Sequence, residues 1–147
     1  MKSSTSDQPG VARPTVLVVD DQVEVLAALQ LMLNMRGYEV LAAAGGTEAL
    51  RVVQEHPGKV EVVVTDYAMP EMNGLQLIER LRVVEPALQF VAISGNASPA
   101  EVASLVAAGV VEFLAKPFSV EALHQAIQRA VDLRRQGLLA VPTAASS

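Results

Sequence analysis

Three aspartates, a hydroxyl and a lysine each close an apolar run in this chain. Asp20 and Asp21 follow the apolar residues 16–19, Asp66 follows residues 60–65, Ser94 ends residues 88–94, and Lys116 ends residues 110–116. Alone, each has an ordinary explanation. An Asp after a strand is usually a helix cap, and Asp21 suits that role; a Ser is a turn residue; a Lys before Pro117 is a solvated strand end. Caps explain one Asp each, but not an acidic pair, an Asp, a hydroxyl and a Lys on four strand ends of one sheet. Two carboxylates roughly 5 Å apart, at an effective dielectric near 20, repel by on the order of 3 kcal/mol. Three on one rim therefore call for a cation. Hard oxygen ligands with room for water suit Mg²⁺. With such a metal present, an ionised Asp66 can act as a nucleophile toward a phosphoryl group. Lys116 adds a second positive charge and Ser94 a hydrogen bond.

The elements that must position these groups alternate. Strands are predicted at 16–19, 38–43, 60–65, 88–94 and 110–116. A helix after Asp21 has Val25, Leu26, Leu29, Met32 and Leu33 at three- and four-residue spacing and stops at Gly37. A short helix opens at Gly45-Gly46-Thr47 and ends before Pro57. After a loop at 67–73 comes a helix carrying Leu75, Leu77, Ile78 and Leu81. Ser98 caps a fourth helix with Pro99 at its first position. Ser119 caps a fifth, with Val120, Leu123, Ile127, Ala130 and Val131 inward, but Ala122 rules out a capping box there. This alternation implies an α/β fold: a five-stranded parallel sheet covered on both faces by five helices. The order 2-1-3-4-5 is common for five βα units, though the sequence alone does not fix it. In that order all five groups meet at the carboxyl ends of the strands.

Composition narrows the function classes. The 147 residues suit one domain. Aromatics are only 3% of the chain, so Val, Leu, Ile and Ala must build the core, which disfavours a ring-lined ligand cavity. A net charge of −5 weighs against nucleic-acid binding. Arg129, Arg134 and Arg135 read as the basic C-terminal end of the last helix. Without cysteine, disulfides and thiolate metal sites are excluded. Neither a secretory leader nor an apolar run of membrane-span length is visible, so a soluble, cytoplasmic protein is expected, with no membrane partner. Residues 1–14 read as a disordered lead, 15–135 as the domain and 136–147 as a flexible tail. His56 and His124 lack metal-spaced partners and read as surface or helix-flank residues. Gly45-Gly46 reads as a turn rather than a phosphate-cradling loop.

The stretches VLVVDD (16–21), VVVTDYAMPEMNG (62–74), VAISG (91–95) and FLAKPF (113–118) resemble the receiver domain of two-component response regulators, a CheY-like, flavodoxin-like family. The resemblance covers nearly all of the expected domain. It implies that Asp66 is the phosphoacceptor and that Asp20, Asp21, Asp66 and the backbone carbonyl of Ala68 hold Mg²⁺. It implies that Lys116 contacts the phosphoryl group, that Ser94 is the switch hydroxyl and Phe113 the switch aromatic, and that the Lys116–Pro117 bond is cis. A sensor histidine kinase or phosphotransfer protein would be the donor. An unknown downstream protein, or a homodimer, would read the face made by helix four, strand five and helix five. Such a chain is a switch rather than an enzyme, catalysing only its own phosphorylation and dephosphorylation. Ala68 and Asn96 fall where the family tunes the phosphate's lifetime, and the small Ala68 cannot position a water. Phe113 lacks the hydroxyl of the Tyr found there in other members.

Two other readings compete. One is a receiver-shaped interaction module that never takes phosphate; the complete set of acidic, hydroxyl and lysine residues argues against it. The other is a flavodoxin-like binder of a nucleotide or flavin; the scarcity of aromatics and lack of a phosphate loop argue against that. No effector sequence follows the last helix. Output is therefore expected through another protein, through dimerisation, or through domains outside this sequence. The phrasing around Asp66 also resembles receivers attached to sensor kinases.

Overall fold

The computed structural model describes residues 13–146, with side chains through Leu138. The chain runs β1 (Thr15–Val19), α1 (Val23–Met35), β2 (Glu39–Ala43), α2 (Gly46–Glu55), β3 (Val62–Asp66), α3 (Gly74–Val84), β4 (Gln89–Ser94), α4 (Pro99–Ala107), β5 (Glu112–Ala115) and α5 (Val120–Ser146). The strands form one parallel sheet in the order β2-β1-β3-β4-β5, as expected. Every residue of β1 and β3 is buried, which is why both read as unbroken apolar runs. Alternate residues serve opposite faces. Leu17, Val19, Val63, Phe90 and Ala92 pack under α2, α3 and α4, against Val53, Leu77, Leu81 and Leu105. Val16, Val18, Val62, Val64, Val91 and Ile93 pack under α1 and α5, against Leu29, Leu33, Leu123 and Ile127.

Several local expectations need correction. Asp21 does not cap α1. The cap position is Gln22, without a side-chain cap bond, and it is the Asp20 carboxylate that accepts the Gln22 N–H at 2.8 Å. An Asp bonding the backbone two residues on is a local turn that competes with a cap. Strand β5 is shorter than 110–116 because the Val110 N–H is taken by Leu105 O in closing α4. Helix α5 continues past Arg135, through Gly137 and Pro142, to Ser146, where the sequence reading begins a tail. Extending an established helix costs far less than starting one, and the run from Leu138 to Val141 is apolar and helix-compatible. Arg134 and Arg135 therefore do not sit at a helix end. Arg135 clasps the nearly buried Glu61 with Nε and an Nη nitrogen, both at 2.9 Å, and Arg129 pairs with Glu112. Residues 1–12 of the expected lead lie outside the described residues. Its last two residues are tied to the sheet edge: Arg13 donates to Gly37 O and Tyr38 O, and Pro14 O accepts the Glu39 N–H. No helix among the described residues is long and apolar enough to cross a membrane.

His124 is more than a flank residue. Tyr38, 1% exposed, places its hydroxyl 3.0 Å from His124 Nδ1 and accepts the Gln128 side-chain amide at 2.9 Å. Arg36 pairs with Glu121 at 2.9 Å beside it. Together these contacts clamp the start of α5 to the turn between α1 and β2. Burial pushes the Tyr38 phenol above its usual range, so it stays a neutral donor at ordinary pH. Tyr38→Phe removes the oxygen shared by half-buried His124 and exposed Gln128, and with it both hydrogen bonds. The expected loss is about 1–2 kcal/mol, read as a lower urea midpoint with an unchanged slope.

Candidate functional site

Backbone register brings the polar strand ends together. Val19 pairs with Thr65, so Asp20, one residue on, lies beside Asp66, the last residue of β3. Asp66 pairs with Ile93, and Ser94 with Ala115, so Ser94 and Lys116 follow on the same rim. The Lys116 N–H bonds Ser94 O at 2.9 Å, which extends the β4–β5 ladder to the lysine. Its side chain then crosses the end of β4, and Nζ stands 3.6 Å from both Asp20 Oδ2 and Asp66 Oδ2. The Lys116–Pro117 peptide is cis, as expected.

Oxygens of Asp20, Asp21 and Asp66 all lie within 4.8 Å of one another. Asp20 is fully buried, Asp66 is 7% exposed, and Asp21 is open to solvent. Burial pushes the Asp66 carboxyl above its usual range. Lys116 opposes that shift, Asp20 adds to it, and the nearby Ala68 backbone N–H lowers it. Asp20 Oδ2 is buried with no hydrogen-bond partner, because Lys116 at 3.6 Å is within ion-pair range but too far for a hydrogen bond. An unmatched buried carboxylate oxygen is costly unless something else meets it. Three carboxylates with neither His nor Cys among them form a hard donor set, and one lysine offsets only part of their charge. These residues fit a divalent cation of the Mg²⁺ or Ca²⁺ kind.

The β3–α3 loop holds Asp66 in place, and here sequence reasoning missed two residues. Gly74 N–H bonds Tyr67 O at 2.8 Å, closing the loop on itself. A Cβ on Gly74 would lie 2.8 Å from Asp66 O and 3.0 Å from Tyr67 Cα, both backbone atoms with little freedom to yield. The glycine is required by space. Asn73 forms a capping box with Gln76, which starts α3 immediately after the loop. The spacing Asn-x-x-Gln was the available signal. Tyr67 follows Asp66 directly. Burial, with the negative charge of Glu101 on α4, raises its phenol.

Ser94 is 1% exposed, and its hydroxyl is engaged by Asn96. Phe113, half-buried, joins the core beneath α2, α3 and α4. Ala68 is exposed in the loop.

Residues 16–128 match the family model of the response regulator receiver domain. The chain is 39% identical over 118 residues to the sensor kinase CckA of Brucella abortus (strain 2308), covering 80% of this chain and 12% of that protein. It is 36% identical over 117 residues to the transcriptional regulatory protein GlrR of Escherichia coli (strain K12), covering 80% of this chain and 26% of that one. It spans about half or less of the length of the curated relatives it matches. Among solved structures, a response regulator receiver domain protein from Clostridium thermocellum superposes with a TM-score of 0.79 at 29% identity, over 86% of this chain and 98% of that one. The chemotaxis protein CheY4 of Vibrio cholerae gives 0.74 at 30% identity, over 81% and 99%.

Two expected outcomes follow from the geometry. A carboxyl whose proton affinity is raised by folding stabilises the fold below its unfolded pKa, and that stability is lost as pH rises through the folded value. In metal-free buffer, Asp66→Asn should therefore be more stable than the parent at neutral pH. The gain, on the order of 1 kcal/mol after the lost Lys116 attraction, should vanish at acid pH; thermal melts across pH read it. Gly74→Ala should cost about 1–3 kcal/mol, because backbone must move to admit the methyl, and chemical denaturation measures that loss.

Proposed function

The chain belongs to the response regulator receiver family, and from that membership we propose that it is a phospho-accepting switch whose phosphoryl group is carried on Asp66. The observation that carries this reading is the placement of Lys116 Nζ at 3.6 Å from both Asp20 and Asp66, at the end of the central strand. An Asp66 oxygen attacks phosphorus, the P–N bond of a donor phosphohistidine breaks, and the imidazole nitrogen leaves with the electron pair. The donor is a sensor histidine kinase or a phosphotransfer protein. Lys116 meets the phosphoryl oxygens and the Ala68 N–H supports the ionised nucleophile. Asp20, Asp21, Asp66 and the Ala68 carbonyl would hold Mg²⁺, which when bound neutralises charge on the incoming phosphoryl oxygens.

The charge change is local and its readout is a surface. Ser94 moves to donate to the new phosphoryl oxygens, Phe113 turns toward the space it leaves, and the face made by α4, β5 and α5 alters. A downstream protein, or a second copy of the chain, reads that face. The chain is thus a signalling switch whose chemistry is confined to its own phosphorylation and dephosphorylation. A cytoplasmic location fits this role.

The test is intact mass after incubation with Mg²⁺ and acetyl phosphate, beside Asp66→Asn. A gain of one phosphoryl group is expected, absent in the variant and without Mg²⁺. Full gain in Asp66→Asn would overturn the site. No gain in the parent, together with no binding of beryllofluoride, would favour an interaction module that does not use phosphate.

A further inference from the structure

We infer that a hollow at the end of the sheet opposite Asp66 is a binding site for an organic carboxylate, with Arg134 as the group that recognises it. The inference stands apart from the phosphoacceptor reading.

The hollow lies where β4 begins, between the second half of α5 and the turn that leads out of α3. Its volume is about 420 Å³, within the range of small-ligand pockets. Pro86, Ala87, Leu133 and Leu138 give it apolar walls. Leu133 and Leu138 are 46% and 45% exposed, so both have apolar surface left to cover. Of the described residues lining the hollow, Arg134 alone is charged.

The Arg134 side chain is only 10% exposed, yet it is poorly matched. Nε is buried and finds no hydrogen-bond partner among the described residues. Nη2 reaches Gly58 O at 3.4 Å, which is long. Nη1 stands 3.9 Å from Glu61 Oε1, an ion-pair distance without a hydrogen bond. The neighbouring acids are engaged elsewhere. Both oxygens of Glu61 are taken by Arg135 at 2.9 Å, and Glu85 accepts the Gly58 N–H at 2.6 Å. A guanidinium offers five donors in a planar fork that matches a carboxylate. Burial of so weakly paired a cation is costly, and an entering carboxylate relieves that cost with charge-assisted bonds. Apolar walls around one cation favour an acid with a hydrocarbon body over a small, strongly hydrated anion.

Gly137 supplies a second observation. It lies inside α5, where a glycine is about 1 kcal/mol less favourable than alanine. Space does not demand it, since a Cβ there would meet nothing within 4 Å. The missing side chain instead leaves the hollow open.

The experiment is a chemical-shift titration of the full chain with hexanoate, beside hexan-1-ol and hexylammonium as neutral and cationic controls. Hexanoate should saturate at roughly millimolar concentration. It should shift amides at 86–89 and 133–138 and leave those of Asp66 and Ser94 in place. The alcohol and the amine should bind at least about tenfold more weakly. Arg134→Met keeps an apolar stem and should lose the preference for the acid. Gly137→Leu fills the hollow and favours the helix, so hexanoate should bind at least about tenfold more weakly while the urea midpoint holds or rises. Equal binding of acid and alcohol overturns the proposal, as does a preference for the acid that survives Arg134→Met. Hexanoate binding retained in Gly137→Leu, shifts centred elsewhere, or no saturation in the parent would sink it as well.

Discussion

Repulsion among Asp20, Asp21 and Asp66 is the constraint around which this domain is organised. Carboxylate oxygens gathered within 4.8 Å, two of the three residues buried, are unstable unless the fold forces them together and something cationic answers them. Strands buried on both faces provide the force. The carboxyl ends of β1 and β3 place Asp20 and Asp66 side by side as the pairing dictates, and a slip by one residue would put an apolar side chain at the rim or draw a carboxylate in among the buried apolar ones. Lys116 answers part of the charge at ion-pair distance from two of the acids. The remainder is not offset by any neighbouring cation among the described residues, and one oxygen of Asp20 is buried without a hydrogen-bond partner. A site that is under-neutralised in this way is poised to gain from a divalent cation and, with one bound, to accept an anionic group.

The backbone around Asp66 shows how closely that poise is controlled. The loop leaving β3 must turn back at once so that α3 can cover the sheet. Closure at Gly74 brings a helix within reach of the Asp66 carbonyl, at a distance no side chain there would permit. The Asn73–Gln76 box then fixes the start of the helix. The contacts that start α3 also set the position of Asp66.

Much of this was legible in the sequence, for identifiable reasons. Apolar β-branched runs ending in Asp or Lys marked strand ends directly, because burial on both faces leaves no polar alternation to confuse the reading. The order of the strands was a choice among common topologies until the hydrogen-bonded register settled it. What escaped was long-range or reciprocal. Nothing near Arg135 in sequence points to Glu61, and nothing near His124 points to Tyr38, although these pairs tie α5 to the rest of the domain. The Asp21 cap failed because two adjacent aspartates offered the same chemistry, and the buried one took the turn. Gly74 was quoted within a motif without its reason, since a steric requirement becomes visible only when the atoms that would clash are placed.

The helices also differ in how firmly they are held. Helix α5 buries Leu123, Ala126, Ile127, Ala130 and Val131 and is anchored further by Arg36–Glu121, the Tyr38 cluster and Arg135–Glu61. Helix α4 buries only Leu105 and leaves Val106 61% exposed. A segment with few buried apolar contacts is the one that shifts at least cost. It is also joined to the site by the shortest route, through Ser94, Asn96 and the Ser98 cap. A change at the Asp66 rim that reaches Ser94 therefore meets, on its way outward, the least anchored helix of the fold.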